Sequence, residues 1–347
     1  MSIVRARQTI NLEKADKIAQ WENISNEGFL SGLTGIDAKE QPREALIKAY
    51  GLLDIDFALP LPAKGTNGYL DKNDSVQFLT VDDPEEVYSF DPYNIPAATP
   101  FSGDMGVPAG ASLMERADFF QRQWKDSHDE IGHSVMVPVC SWYTLFHAFF
   151  VNFGYEATAV AAYSEPERFR DVVGRIFEVS LKKMEAFAQT DAELALCHDD
   201  LAMADRTIFP PDWYREYIFP WYKELWKPLK KAGKKVLFFS DGKIDDIMSD
   251  LVETGADGLF IDTCASLEKV QRQFGGRIFL LGNADCRIIS EGSREDIYRE
   301  VERCTRAGRN SNGCILNVSG HIMNEIPLEN LNAYFEFAKT LRQVDER

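Results

Sequence analysis

Basic charge is scarce in this chain. Against 38 Lys and Arg stand 55 Asp and Glu, a formal net charge of −17. A surface of that sign repels phosphate backbones, so nucleic-acid binding is excluded as a general role. It also gains nothing from anionic lipid headgroups. Long hydrophobic runs are missing too. No segment approaches the ~18–20 consecutive apolar residues of a membrane-spanning helix, and no membrane partner is expected. The stretch MSIVRARQTINLEKADK lacks the apolar core of a secretory signal, which predicts a cytoplasmic location. Paired cysteines are absent: Cys140, Cys197, Cys264, Cys286, Cys304 and Cys314 show no CxxC spacing. In a reducing compartment they are thiols, and beside apolar runs they read most simply as small buried hydrophobes.

Apolar and aromatic residues are plentiful. They make up 45% and 12% of the chain, enough for a sizeable core and too many for global disorder. Six short apolar runs each end in a chemically capable residue. They are VMVPVCSW (135–142), LALCHDD (194–200), KVLFFSDG (235–242), GLFIDTC (258–264), IFLLGNADC (278–286) and CILNVSGH (314–321). A strand buried on both faces reads as a continuous apolar run. Most of these runs are separated by stretches with helical periodicity. Strand, polar tip and helix in repetition predict an α/β fold, a single (β/α)8 barrel with an N-terminal helical extension. The active site of that fold gathers at the carboxyl ends of its strands. His198, Asp199, Asp200, Asp241, Asp262, Cys264, Asn283, Asp285 and His321 are then expected to face one cleft.

Residues 1–34 read as a polar helical lead-in closed by the GLTG turn, and DIDFALPLP (54–62) as a first strand. Residues 63–112 are rich in Gly, Pro, Asn and Asp and read as long loops over the mouth, with a short strand candidate, SVQFLT (75–80). Helices are predicted over 111–132, 164–190, 210–233, 244–255, 266–276, 293–308 and the C-terminal stretch. Ser164 with Glu167, and Ser293 with Asp296, have the spacing of N-terminal capping pairs. No linker divides the chain, so one domain over 1–347 is expected.

The strand tips carry the candidate chemistry. Two carboxylates beside an imidazole, His198-Asp199-Asp200, can bind a metal, orient a polar substrate or relay a proton. The plainer alternative is that one acid caps a loop and the other is solvated. Asp241, in Ser-Asp-Gly, either points into the cleft or is a simple turn residue. Cys264 and Cys286 can be zinc ligands or nucleophiles, but packed small side chains are the commoner case. Asn283 and Asp285 can hold a substrate or position a loop. His321 closes the last run, and only five histidines serve the whole chain. His147, inside an aromatic helical stretch, reads as structural, and His128 and His133 stay open.

These same blocks carry a resemblance. HDDLAMADRTIFPPDWYREYIFPWYKELWKPLKKAGKKVLFFSDG, then LLGNADCRIISEGSREDIYREVERC, then ILNVSGHIMNEIPLENLNAYFEFAK resemble, in order and spacing, the C-terminal two-thirds of the uroporphyrinogen decarboxylase superfamily. Residues 20–60 are similar to the N-terminal region of its methyltransferase-like members. The resemblance implies a single (β/α)8 barrel and two possible chemistries. Decarboxylases of porphyrinogens carry an Arg-rich N-terminal motif, and RARQTINLEKADK does not match it. The absence of an Arg cluster also suits an eight-carboxylate substrate poorly. The other branch comprises cobalamin-dependent methyltransferases, which exchange methyl groups with the cobalt of a corrinoid protein. Their thiol-alkylating members hold zinc through a His-x-Cys pair and a later Cys. Here those positions read Phe239-Ser240-Asp241 and Ser319-Gly320-His321. The soft ligands are gone, so a thiol substrate is disfavoured, and zinc held by mixed O and N ligands or no metal at all stays open.

The resulting expectation is a corrinoid-dependent methyltransferase taking a methyl group from a small O-methyl donor, an aryl methyl ether. Asp200, Asp241 and His321 are the expected catalytic residues. His198, Asp199, Asn283, Trp142 and Phe239 are the expected substrate contacts. Asp241, His321 and Cys264 are the candidate ligands for Zn2+. Phe119, Phe120, Trp124, Trp142, Tyr143, Phe146, Phe149 and Phe150 either line the aromatic pocket or pack the core. No corrinoid-binding signature is visible in the chain, so a separate corrinoid protein is the expected partner. The alternatives are a decarboxylase acting on another substrate, with Asp56 or Asp241 stabilising a protonated intermediate, and a non-catalytic ligand-binding relative.

Overall fold

A computed structural model describes residues 1–64, 83–92, 106–107, 110–309 and 311–344. Seven strands appear in chain order: β1 (Ala19–Gln20), β2 (Val139–Ser141), β3 (Leu194–His198), β4 (Lys235–Phe239), β5 (Gly258–Phe260), β6 (Phe279–Leu281) and β7 (Cys314–Leu316). The described residues fall into two compact units. One lies within Met1–Asn73, Trp124–Pro138 and Asp257–Arg347, the other within Asp74–Gln123 and Val139–Ala256.

In the first unit the strands are parallel, in the order β1–β7–β6–β5. Ala19 stands opposite Ile315, Leu281 opposite Ile315, and Phe260 opposite Leu281. Parallel bridges from Trp21 to Phe57 and from Phe57 to Met136 continue the ladder. Trp21 and Phe57 are almost wholly buried and stack at 5.7 Å between ring centroids. Beneath them lies a buried ion network. Asp56, fully buried, accepts from Arg5 at 2.5 Å, from the amides of Ser2 and Gln20, and from Arg342 at 3.5 Å. Buried charge of this kind is tolerated because every oxygen meets an ion or an N–H. That engagement gives Asp56 a structural task in tying the N-terminal helix and Arg342 to β1.

The second unit is built on the parallel order β4–β3–β2, with His198 opposite Phe239 and Ser141 opposite Cys197. In β3, Leu194–Cys197 is buried throughout and only His198 reaches partial exposure, as expected of a strand covered on both faces. Helices His147–Ser164, Pro166–Ala188, Pro211–Tyr217 and Phe219–Lys231 surround these strands. Phe146, Phe149, Phe150, Phe169, Tyr214, Tyr222 and Trp226 are buried and form one edge-to-face and stacked aromatic core. Burying each ring contributes roughly 2–3 kcal/mol. Most of the aromatic stripe is therefore packing. Phe120, buried against Phe187, belongs to it as well.

Several expectations are corrected here. The 1–34 lead-in is not helical throughout: helices Ile3–Ile10 and Glu27–Thr34 flank β1. Residues 54–62 are thus not the first strand, and only Phe57 there makes ladder bridges. The single helix expected over 210–233 breaks at Ile218, because Pro220 has no N–H to continue the preceding turn. Ser164 ends one helix, and Glu165 stands at the N-cap of the next without a side-chain capping bond. The pair Ser293 and Asp296 does form a reciprocal capping box. Within 63–112 the described residues include a short helix, Pro84–Tyr88. SVQFLT and most of the expected mouth loops lie outside the described residues. Among the described residues no helix is long and apolar enough to cross a membrane.

Candidate active site

The second unit gathers polar groups just beyond the carboxyl ends of β2, β3 and β4. Trp142 and Tyr143 follow β2. Asp199 and Asp200 follow β3, whose last residue is His198. Ser240, Asp241 and Gly242 follow β4. His147 enters from the first turn of helix His147–Ser164.

Asp199 builds the frame. Its carboxylate is fully buried and accepts four successive amides, those of Thr144, Leu145, Phe146 and His147, at 2.8–3.1 Å. The Tyr222 hydroxyl donates to Oδ2 at 2.6 Å. These N–H groups belong to the turn that leads into helix His147–Ser164 and to its first residue, satisfied here by a side chain from a distant strand end. Burial pushes the Asp199 carboxyl up to about 6, although its hydrogen bonds pull the other way. With both oxygens engaged by the chain itself, Asp199 positions His147 and is not free to grip a substrate.

Asp200, the next residue, faces the opposite way. Its Oδ1 lies 3.1 Å from His198 Nε2 and accepts the Asp241 amide at 2.9 Å. Its Oδ2 lies 3.4 Å from His147 Nδ1. The His198 ring is oriented from its other side, where Nδ1 donates to the Trp142 carbonyl at 2.8 Å. The loop after β4 is laced to this segment by Leu201 N–H to Ser240 Oγ and Lys243 N–H to the Met203 carbonyl. Gly242 has φ +84, and a Cβ there would sit 2.6 Å from the Ala202 carbonyl oxygen, so only glycine allows this close approach.

The three side chains differ in charge. Burial disfavours a proton on His198, but the Asp200 hydrogen bond and charge, with the Trp142 carbonyl, outweigh it and raise the imidazole to about 9. His147 is pushed down to about 4, chiefly by burial. Burial also opposes ionisation of Asp200, yet the bond to His198 and the Asp241 amide hold it below the usual carboxylate range. At neutral pH the centre is an imidazolium–carboxylate pair beside a neutral imidazole. Ligand atoms of His147, His198 and Asp200 all lie within 4.8 Å of one another, and no other group of this kind forms among the described residues. Aromatic rings flank it: Trp142 and Phe239 against His198, and Tyr143 against His147. Trp142 is 40% exposed and Tyr155, whose hydroxyl feels the Asp200 charge, is 50% exposed.

His198, Asp200, Trp142 and Phe239 thus come together, with Asp241 adjoining through its backbone. The sequence reading missed His147, which it treated as structural. His-x-Asp at a strand end was visible, but nothing local to an aromatic helix marks its first histidine as the third member. The remaining candidates lie in the first unit. Asn283 is buried and saturated: its Nδ2 donates to the Asp262 and Ala265 carbonyls, and its Oδ1 accepts from Arg303. Cys264 is half-buried and His321 exposed. Neither belongs to the histidine–carboxylate cluster, and the Asp241 carboxylate is not a member either. Among the described residues, the ligand atoms brought together are those of His147, His198 and Asp200, and the expected set of Asp241, His321 and Cys264 is not gathered into such a group.

Parallel strands with helical crossovers, and a histidine–carboxylate centre at their carboxyl ends, define a barrel protein of the α/β class. Residues 143–341, more than half of the chain, match the family described as uroporphyrinogen decarboxylase (URO-D). The chain belongs to that family. It is 27% identical over 169 residues to a uroporphyrinogen decarboxylase of Syntrophotalea carbinolica, covering 48% of this chain and 47% of that protein. It is 27% identical over 174 residues to one of Thermus thermophilus, covering 50% and 49%. The chain thus spans about half the length of the curated relatives it matches. A solved methyltransferase from Methanosarcina mazei has the same fold, with TM-score 0.67 at 17% identity, over 98% of this chain and 99% of that one. The fold class is the (β/α)8 barrel expected from the strand-tip pattern.

Proposed function

We propose that this protein is a methyltransferase that removes the methyl group of a small aryl methyl ether and passes it to cob(I)alamin carried by a separate corrinoid protein. The observation that carries the reading is the His147–His198–Asp200 centre beside Trp142 and Tyr155. Breaking the O–CH3 bond leaves the bonding pair on the aryl oxygen, while the methyl carbon forms its new bond to cobalt. The departing aryloxide needs a positive charge beside it. His198 holds a proton toward Asp200 at neutral pH and can deliver it to that oxygen, giving a phenol. Asp200 keeps the imidazole charged, and Trp142 orients it through its carbonyl. The partly exposed rings of Trp142 and Tyr155, the latter stacked on Phe150 at 4.4 Å, suit a flat aromatic ligand. A divalent metal on the same three residues would take the place of that proton on His198 Nε2 and supply Lewis acidity to the same oxygen. The reading is supported further by the fold shared with a methyltransferase and by the absence of thiolate from the centre, which argues against a thiol substrate.

One observation favours a second reading: the curated relatives of the matched half are named uroporphyrinogen decarboxylases. The two readings part on products. The protein is incubated with a panel of methoxyaromatics, with and without a reduced corrinoid protein. Phenol release and the methylcobalamin spectrum should appear only when both substrates are present. Carbon dioxide released from a carboxylated substrate without corrinoid would replace this reading with the decarboxylase.

A further inference from the structure

We infer that His147, His198 and Asp200 form a resident site for one divalent transition metal of the zinc class. The inference builds on the reading above, since it concerns the same centre. Three observations carry it. The ligand atoms of these residues already lie within 4.8 Å of one another, close enough for one ion to touch all three after small side-chain adjustments. Each is held by a further contact. Nδ1 of His198 donates to the Trp142 carbonyl at 2.8 Å, which leaves Nε2 as its ligand atom. Asp200 is held by the Asp241 amide at 2.9 Å. His147 is anchored through its backbone amide on Asp199 at 3.0 Å, and its Nδ1 accepts the Asp200 amide at 3.4 Å. Ligating histidines are ordinarily oriented, as His198 is, by a carbonyl or carboxylate. The third observation is access: the three side chains are 14–25% exposed, neither sealed off nor freely solvated.

The donor set names the metal class. Two imidazoles and one carboxylate suit zinc, cobalt or iron, whereas magnesium and calcium prefer all-oxygen shells. No cysteine is in the cluster. Three protein ligands leave a position open for a substrate oxygen, the pattern of catalytic rather than structural zinc sites.

Cobalt(II) is the probe. Chelator-treated protein titrated with Co2+ should develop visible d–d absorption that saturates at one equivalent and is displaced by Zn2+, but not by millimolar Mg2+ or Ca2+. No near-ultraviolet thiolate charge-transfer band should appear. His147→Ala, His198→Ala and Asp200→Ala should each weaken Co2+ binding at least ~100-fold, since even a supporting contact is worth 10–100-fold. Asp241→Ala keeps its backbone amide and should bind normally. Should the ligand variants misfold, the wild-type protein gives a second readout. Zn2+ should protect His147, and not His133, from diethyl pyrocarbonate, as located by peptide mass. A thiolate band, unaltered binding in folded ligand variants, or no protection overturns the inference. Stoichiometric metal without demethylation leaves the site standing and removes the proposed reaction. Demethylation by metal-free protein does the reverse.

Discussion

The Tyr222 hydroxyl donates a 2.6 Å hydrogen bond to Asp199 Oδ2, and this buried pair holds the turn that presents His147. Asp199→Ala would strand the amides of Leu145, Phe146 and His147 and a phenol, while the Thr144 amide keeps the His198 carbonyl. The expected loss is at least about 3 kcal/mol of stability, by denaturant unfolding. Tyr222→Phe removes one bond to a charged group and should cost about 1.5–3 kcal/mol. If Tyr222→Phe stays folded, it should lower turnover while His198 keeps its own titration. A turnover loss with no change at His147, followed by NMR, would contradict this positioning role.

Activity separates the members of the centre from its neighbours. His198→Gln and Asp200→Asn should lower kcat by ~10²–10⁴-fold, the range for a positioned proton donor and its partner. Asp241→Ala keeps the backbone amide that Asp200 accepts, so it should lower kcat far less than Asp200→Asn does. An equal loss would bring the Asp241 carboxylate into the machinery.

Much of this was legible in the residues, for a physical reason. Leu194–His198 and Lys235–Phe239 are covered on both faces, so they read as unbroken apolar runs with polar tips. His198, Asp200 and Asp241 could therefore be placed before any coordinates. What local pattern cannot show is which way adjacent side chains turn. Asp199 and Asp200 are the same residue type side by side, yet one is buried under a helix start and the other faces the histidines. His147 stayed hidden because its role depends on an aspartate 52 residues away. β1 was missed because only two residues make its ladder, too short for periodicity. Nor does the sequence reveal that Arg5 and Arg342 occupy Asp56.

The centre makes a pH prediction in metal-free protein. His198, raised to about 9, should keep its proton through neutral pH and lose it near that value. His147, lowered to about 4, should stay neutral until strongly acidic conditions. Histidine ring-proton NMR reads both directly, and Zn2+ should abolish both titrations. Two histidines titrating near the ordinary 6.5 would dissolve the assigned pair.

Glu22, in the first unit, tests the stability side of the same physics. It is fully buried, and burial pushes its carboxyl up to about 7 despite bonds from Gln20, Tyr334 and the Val318 amide. An unfolded glutamate titrates near ~4.3. Between these values the folded chain binds the extra proton, so stability falls as pH rises through the window. The contribution present below about pH 4 and lost above about pH 7 is on the order of 3 kcal/mol. Glu22→Gln should flatten that slope in unfolding curves measured from pH 4 to 8. An unchanged slope would assign it to other groups.

The partner gives the last prediction. The proposed reaction needs cobalt(I) at the carboxyl ends of β2, β3 and β4, and the corrinoid protein must leave again to deliver its methyl group. Docking is therefore expected to be transient and steered by charge rather than held by a large apolar surface. With −17 on this chain, the steering has to come from basic residues on the partner. Salt screens such attraction, with a Debye length of ≈ 8 Å at physiological ionic strength. Raising NaCl from 50 to 500 mM should therefore raise the KM for the corrinoid protein while leaving kcat nearly constant. Free cobalamin has no docking surface to screen, so its slower reaction should respond little to salt. Methylcobalamin formation followed in the visible spectrum measures both series. Equal rates with free and protein-bound cobalamin, and no salt dependence in either, would show that no protein docks at these strand ends.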